Sequence, residues 1–508
     1  MSKKRFGYTI NDLLLYSQNI SNPIDLSGLY SNIKVNINLF ASSISGEITI
    51  SDFAGYAELI PLIGEEFLYL DVEPDELNYV TQERLKGWYR IYKISDFMSA
   101  GPQKGKIYTL YFVSAEYFIN RSLKVMKTYS ADKLSNTAKS IYDDFIKKNM
   151  VEDYQRDIDV ESTFLNKDVI IPNWSPIKAI KYLARESISE SINTGGATYA
   201  FYETPQKFHF KSIETLTSQP SVRDYYYAPK QVVQTFGENI TDAAQEIEEY
   251  RIISSFDVLE NVTEGMYSST LIALDVERHK MQKHVYNYMP PRPEEPQTVQ
   301  LLGGGTVTIT APADDPSIKK QIDNSRTISP GKLCSQNIEF LNKASQRIHL
   351  VTTNAEHDVQ FQRNLVRAGG YKEPGIKPSQ IELYALARKS QLQQIGNIVL
   401  ELLLGHGDTN INVGDVIEFQ LPSELAQNNN RNAADPQHFF YSGKYIIAGL
   451  THDIDKETGF TTSMMIHKNG IEKQMPSFDN EVLEELDEYQ TTSLKEKEKQ
   501  LEQANDPN

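Results

Sequence analysis

A chain of 508 residues is longer than one hydrophobic core usually organises, so several packed units are expected. Hydrophobic residues at 40% and charged residues at 23% give the balance of a water-soluble globular protein, and no apolar run approaches the ~20 residues that span a bilayer. A net charge of -17 excludes capture of nucleic acid by a basic field, and the single cysteine, Cys334, excludes an internal disulfide and a thiolate cage for zinc or iron–sulfur.

The N-terminal stretch "MSKKRFGYTINDLLLYSQ" is basic but has no apolar core and no small-residue cleavage site. It predicts a chain that stays in the cytoplasm or leaves it without a signal peptide. From residue 33 the pattern turns to strands. "IKVNINLF" (33–40) alternates Ile33, Val35, Ile37 and Leu39 with polar residues, and "GEITISDF" (46–53) repeats the alternation with Ile48 and Ile50. "GEEFLYLDV" (64–72), "GWYRIYKISDF" (87–97) and "KIYTLYFVS" (106–114) follow, each bounded by Gly, Pro or Asp turns. Five such strands predict a small antiparallel barrel over residues 1–125.

Residues 126–247 read as a mixed α/β domain. A helix is predicted over 130–149 with Ser130 as N-cap and Leu134, Ala138, Ile141 and Phe145 on one face. A second helix, 173–188, has Ser175 as N-cap, Pro176 at the first helical position and a buried stripe of Ile177, Ile180, Ala184 and Ile188. "ATYAFYE" and "KFHFKSI" form a hairpin around "TPQ". Residues 248–289 return to strands and are assigned to the first part of a second barrel. Residues 290–394 read as an insertion, with a Pro/Gly-rich linker up to Pro316 and a helix over 378–394; residues 395–472 complete the second barrel, and 473–508 form an acidic, charged tail without a core of its own.

The second barrel repeats the first. "NIVLELLLG" (397–405) stands where "GEITISDF" stood, "GDVIEFQLP" (414–422) where "GEEFLYLDV" stood, "GKYIIAGLTHDI" (443–454) where "GWYRIYKISDF" stood, and "GFTTSMMIH" (459–467) opposite "GKIYTLYFVS". Gly64 and Gly414, Tyr89 and Tyr445, and Gly105 and Gly459 lie 350, 356 and 354 residues apart. Gly64, Glu65, Tyr89 and Gly105, matched by Gly414, Asp415, Tyr445 and Gly459, are therefore the signature of an internal duplication. The fold class is α+β: two similar antiparallel β-barrel domains with intervening α/β and helical segments. A duplicated barrel suits alternate positions around the axis of a ring better than it suits a lone catalytic centre.

No constellation for chemistry stands out. "LGGGT" at 302–306 lacks the Lys-Ser/Thr of a phosphate loop, and there is no HExxH and no GxSxG elbow. His406 and Asp408 in "GHGDTN", His438, and His452 and Asp453 in "THD" are the metal candidates, but they fall on separate turns and strands and are better explained as turn residues. Cys334 has the neighbours of a small residue in an ordinary helix rather than of a nucleophile. No catalytic, cofactor-binding or metal residue is assigned.

The runs "ITISDFAGYAELIPLIGEEF" (48–67), "GKIYTLYFVSAEYFIN" (105–120), "DVIIPNWSPIKAIKYLA" (168–184), "GGATYAFYETPQKFHFKSIETL" (195–216), "ARKSQLQQIGNIVLELLLGHGDTNINVGDVIEF" (387–419) and "SGKYIIAGLTHDIDKETGFTTSMMIHK" (442–468) occur in an order that resembles the central baseplate hub protein of contractile-tailed, T-even-like bacteriophages. The resemblance implies a non-enzymatic virion protein of the tail baseplate, assembled in the host cytoplasm. It implies a homotrimer whose two barrels per chain make a pseudo-sixfold ring between the hexameric tail tube and the trimeric cell-puncturing spike, with other baseplate proteins around it. DNA would meet this chain only in transit through the channel during genome ejection, and the chain would not enter a membrane. The stretch 290–316 and the tail after 473 look like additions to the family pattern. The alternatives are the spike-hub of a type VI secretion system, whose hub portion is similar but continues into a β-helical spike, and a cell-wall hydrolase at the tail tip.

Overall fold

The computed structural model describes residues 7–75 without 19, 54 and 57–61; 83–227 without 101–104, 165 and 192–195; 245–275 without 256 and 267; 280–287, 297–300, 306–309 and 347–353; and 388–468 without 391, 423–437 and 439. Predictions for the linker 290–316, for most of the helix 378–394, for Cys334 and for the tail after 473 lie wholly or mainly outside these residues.

The N-terminal unit consists of β1 (Tyr8–Tyr16), β2 (Ile24–Asp25), β3 (Tyr30–Asn38), β4 (Ser45–Asp52), β5 (Phe67–Pro74), β6 (Leu85–Ala100) and β7 (Gly105–Ser114). The alternation dictates the packing: Ile33, Val35 and Ile37 of β3 and Ile48 and Ile50 of β4 are buried, while their sequence neighbours face outward. Each such side chain removed from water stabilises the fold by about 1.5–3 kcal/mol. The five strands of the sequence reading are present, and β1 is a sixth: "YTINDLLLY" pairs antiparallel with β5 and buries Leu13 and Leu15. Leu13, Leu14 and Leu15 are consecutive apolar residues and the pairing shifts between Ile10 and Asp12, which hides the strand period from local inspection.

Next come β8 (Val125–Lys133), β9 (Ile158–Val160), β10 (Asn166–Trp174), β11 (Tyr199–Glu203) and β12 (Phe208–Ser212), with helices Leu134–Phe145 and Pro176–Glu186. They share a core of their own around Ile141, Tyr142, Ile180, Leu183 and Phe210. The first helix begins later than predicted. Ser130 is not its cap but lies in β8, which pairs with β10, because inter-strand hydrogen bonds outweigh a local cap. Thr163 accepts from the Ser135 amide (3.0 Å), satisfying a free N–H of the first turn. In the second helix Ser175 is the N-cap residue and Pro176 opens the helix, as its sequence signals, and Asn120 Oδ1 accepts from the Ile177 amide (2.7 Å).

The strands β13 (Arg223–Tyr226) and β14 (Ile247–Ser255) return the chain to the large sheet. Of residues 248–289, those up to Ser255 pair in that sheet. Strand β15 (Ser268–Asp275) pairs instead with β16 (Lys280–Asn287) on one edge and β19 (Arg347–Thr353) on the other, and β17 (Gln297–Gln300) and β18 (Thr306–Ile309) form a separate ribbon. The C-terminal strands are β20 (Ile398–Leu404), β21 (Val416–Gln420), β22 (Gly443–Asp455) and β23 (Gly459–Lys468). The described molecule is mostly β, and thirteen strands form one sheet in the order β14-β20-β23-β22-β3-β4-β7-β6-β5-β1-β2, with β21 and β13 branching from β22. Among the described residues no helix is long and apolar enough to cross a membrane.

Candidate functional site

The site defined by the strand pairings is a joint between two like-ordered sets of strands. The N-terminal set runs β3-β4-β7-β6-β5-β1, and the C-terminal set runs β14-β20-β23-β22-β21-β13. Tyr226 at the end of β13 makes an isolated bridge to Glu246, just before β14. In the N-terminal set the Tyr8 and Tyr30 hydroxyls meet at 2.7 Å between β1 and β3. The sets differ in the direction of one pairing: β1 runs antiparallel to β5, whereas β13 runs parallel to β21.

The irregularities coincide as well. Pairing of β6 with β7 shifts between Ile91 and Lys93, and pairing of β22 with β23 shifts between Ile447 and Gly449. Pairing of β3 with β4 shifts between Tyr30 and Asn32, and that of β14 with β20 between Ile247 and Glu249. A bulge inserts one unpaired residue and turns the strand, so bulges at matching levels give both sets the same bend.

Tyr89 and Tyr445, and Gly105 and Gly459, take equivalent ladder positions, whereas Gly64 and Glu65 are one residue out of register with Gly414 and Asp415. Tyr89 pairs with Leu68 and Tyr445 with Ile417, and both tyrosines are buried. Counting back from those pairs puts Glu66, not Glu65, opposite Asp415. The backbone agrees: Ile91 N donates to Glu66 O (3.0 Å) and Ile447 N donates to Asp415 O (2.9 Å). The Glu66 carboxylate accepts from the amides of Ile63, Gly64 and Glu65 at 2.9, 2.9 and 3.0 Å, and Asp415 accepts from the Asn412 amide at 2.8 Å. Gly64 and Gly414 have φ of +84° and +91°, a region where a side chain is strained. Gly459 also has a positive φ, while a Cβ at Gly105 would overlap the Phe53 ring, so these two glycines serve different needs.

The joint is the ladder between β22 and β3. Residues Gly449 to Asp455 pair antiparallel with Asn38 to Asn32, so β22 serves β21 with its first part and β3 with its second. Val35, Ile33, Leu450 and Ile454 are buried across it. Its exposed side is polar: Thr451 Oγ1 donates to Asn36 Oδ1 (2.9 Å), and Asn32 Nδ2 donates to Asp453 Oδ1 (2.6 Å).

A buried ionic cluster fixes the α/β domain to the N-terminal set. Arg156 donates from Nη2 to Glu203 Oε1 (2.6 Å) and from Nε to Glu116 Oε1 (2.8 Å). Glu203 Oε2 in turn accepts from the Ile44 amide (2.9 Å) and the Ser114 hydroxyl (2.8 Å). Burial holds the Glu203 carboxyl above its ordinary range, and the adjacent Arg156 pulls it back. The sequence gives no signal for this cluster, because its members lie in four separate segments.

The metal candidates are engaged elsewhere. Asp408 binds Arg223 and accepts from the Tyr225 hydroxyl (2.9 Å). His452 Nδ1 lies 3.1 Å from Thr462 Oγ1, which also accepts from the Asp408 amide (3.0 Å), and Asp453 faces Asn32 in the joint. The His438 ring lies tilted against Tyr441 with centroids 4.9 Å apart, and His406 is buried. Among the described residues no group of three His, Cys, Asp or Glu side chains could hold a metal ion. A cleft of about 280 Å³ lies where β12 meets the Gly414 turn, lined by Tyr202, His209, Lys211 and Asp415. Lys207 and Lys211 on its wall both bind Asp159, at 3.2 and 2.8 Å.

No protein-family model matches the chain, and no curated protein matches it. Among solved structures it is similar to a tail protein from Neisseria meningitidis MC58, at 10% identity over 92% of this chain and 98% of that one, with a TM-score of 0.45. A 43 kDa tail protein of prophage MuSo2 from Shewanella oneidensis gives 9% identity, 90% and 98% coverage and a TM-score of 0.45. Prophage tail protein gp18 from Listeria monocytogenes EGD-e gives 9% identity, 90% and 95% coverage and a TM-score of 0.39.

Proposed function

We propose that the chain is a structural protein of a contractile phage tail, the hub of its baseplate, and that each of its two strand sets is one copy of a duplicated barrel. The observation that carries this reading is the repetition of one strand order with coincident bulges, the two copies being joined edge to edge by β22 and β3. A chain that holds two like units in tandem lets three copies present six near-equivalent positions, which reconciles a hexameric tube on one face with a trimeric spike on the other. The ordered sequence resemblance to hub proteins supports the same assignment. A net charge of -17 suits a channel through which DNA passes, since like charge repels phosphate and opposes adhesion. The chain acts in this reading by holding partners in register, without a catalytic centre.

The test is native mass of the purified chain together with electron-microscopy averages down the symmetry axis. A trimer with a six-lobed ring and an open centre is expected. A monomer, even after addition of the neighbouring tail proteins, would overturn the ring, and muralytic activity of the pure chain would return the hydrolase reading.

A further inference from the structure

Strand β22 is paired along both edges, but its counterpart β6 is not. One edge of β6 pairs with β7 from Tyr89 to Ala100, while the other pairs with β5 from Leu85 to Arg90 and reaches Glu66 O through the Ile91 amide, so among the described residues the edge from Tyr92 to Ala100 has no strand partner. Strand β14, the counterpart of β3, likewise has β20 on one edge and no ladder on the other. These two edges carry large exposed apolar side chains: Phe97 is 57% exposed, Met98 59%, Ile252 40% and Ile253 48%. The counterparts of Ile252 and Phe97 in the joint, Val35 and His452, are buried. A bare sheet edge with apolar residues invites another strand.

A second, independent feature matches the two edges to each other. Between Ser95 and Met98, β6 has one residue more than β7 opposite it, which β22 lacks between Thr451 and Asp453. Between Ile252 and Ser254, β14 has one residue more than β20, which β3 lacks between Val35 and Asn36. In the joint, Thr451 pairs with Asn36 and Asp453 with Lys34, so the two extra residues fall at the same level of the ladder. Each edge by itself would break the joint's register; together they restore it. Ser95 then faces Ser254, Asp96 faces Ile253, Phe97 faces Ile252 and Met98 faces Arg251.

We propose that the unpaired edge of β6 in one copy adds antiparallel to the unpaired edge of β14 in the next copy, reproducing between chains the β22–β3 joint made within each chain. The inference rests on the ring reading above and names the interface that would close it. The contact is heterologous, with a different surface from each partner, and so propagates until the ring shuts.

The test uses full-length chain with Cys334→Ser. In the joint the side chains of Thr451 and Asn36 touch, so cysteines at the matching Ser95 and Ser254 fall within disulfide reach. Mild oxidation of a mixture of Ser95→Cys chains and Ser254→Cys chains should give covalent dimers, and the double variant should give a ladder ending at the copy number of the native oligomer. Neither single variant should cross-link alone, and Ser95→Cys with Arg251→Cys, about 10 Å out of register, should fail. An oligomer of the expected mass with no Ser95–Ser254 link overturns this interface and leaves the ring reading standing, with another protein or another surface on these edges. A link in Ser95→Cys alone indicates a two-fold contact and also overturns it. A chain that stays monomeric at every concentration sinks both.

Discussion

At the scale of single residues, burial without charge is the dominant constraint on the polar groups of the core. His452 is enclosed against Phe460 and Thr462, and burial pushes its pKa down to about 4, with only Asp408 pulling the other way. The folded protein holds this imidazole neutral while the unfolded chain protonates it below about pH 6.5. The unfolded state therefore binds more protons between pH 6.5 and 4, and the stability contributed by the neutral form is present above that window and lost as pH falls through it, by about 3 kcal/mol in all. Glu214 opposes this: burial raises its carboxyl to about 7, so its contribution improves as pH falls. The readout is therefore the difference between the wild type and His452→Gln in urea midpoint at pH 7.5 and pH 5; the wild type should lose more on acidification than the variant. Equal losses would show that His452 is already charged in the folded state. The positive φ of Gly64 and Gly414 was legible from turn composition alone, because only a residue without Cβ enters that region at no cost. Which acid followed was not: Glu65 and Glu66 are indistinguishable in sequence, and only the Leu68–Tyr89 pairing selects Glu66.

At the scale of elements, the α/β domain is held to the N-terminal strands through Glu203. This carboxylate at the end of β11 is shared by Arg156, the Ile44 amide and Ser114. Glu203→Ala would leave Arg156 buried with Glu116 as its remaining charge partner and orphan the Ile44 amide. The expected cost is about 3–5 kcal/mol, the usual penalty for breaking a buried pair by removing one partner. Hydrogen exchange of the variant should show the loss concentrated at the β3–β4 turn and β11, with β20 to β23 unaffected; uniform loss across both strand sets would mean that the cluster does not act as a domain clamp. Helix positions were legible where the period of 3.6 was strong, as for Ile177, Ile180 and Ala184. The later start of the other helix was not, since Ser130 looks like a cap until β10 supplies a strand for it to join.

At the scale of the whole molecule, the two strand sets make one continuous sheet, and among the described residues part of β6 and the outer edge of β14 have no strand partner. In the proposed assembly these are the places where another copy adds most readily, because they also carry exposed apolar side chains. Phe97→Lys faces Ile252 in the proposed ladder and should lower the native mass toward monomer at micromolar concentration, with little change in thermal unfolding, since the side chain is largely outside the core. A variant that keeps the wild-type mass would place Phe97 outside any subunit contact. The thirteen-strand sheet also explains why local patterns were legible before the fold was: each strand set carries its own alternation and turns, but the ladder that unites the sets joins residues more than 400 positions apart.

The sequence by itself determined β3 to β7, β14 and β20 to β23, their turn glycines and their apolar faces, because alternation and turn chemistry depend on residues a few positions apart. Tertiary structure alone decided that β1 and β13 complete the sets, that β15 leaves for another sheet, that Asn120 and Thr163 bond helix starts from other segments, and that β22 divides its edge between β21 and β3. Those choices depend on which of many compatible edges meet in space. A strand pattern specifies that an edge must be paired but not with what, so the partner is fixed only when burial and backbone hydrogen bonding are satisfied across the whole chain at once.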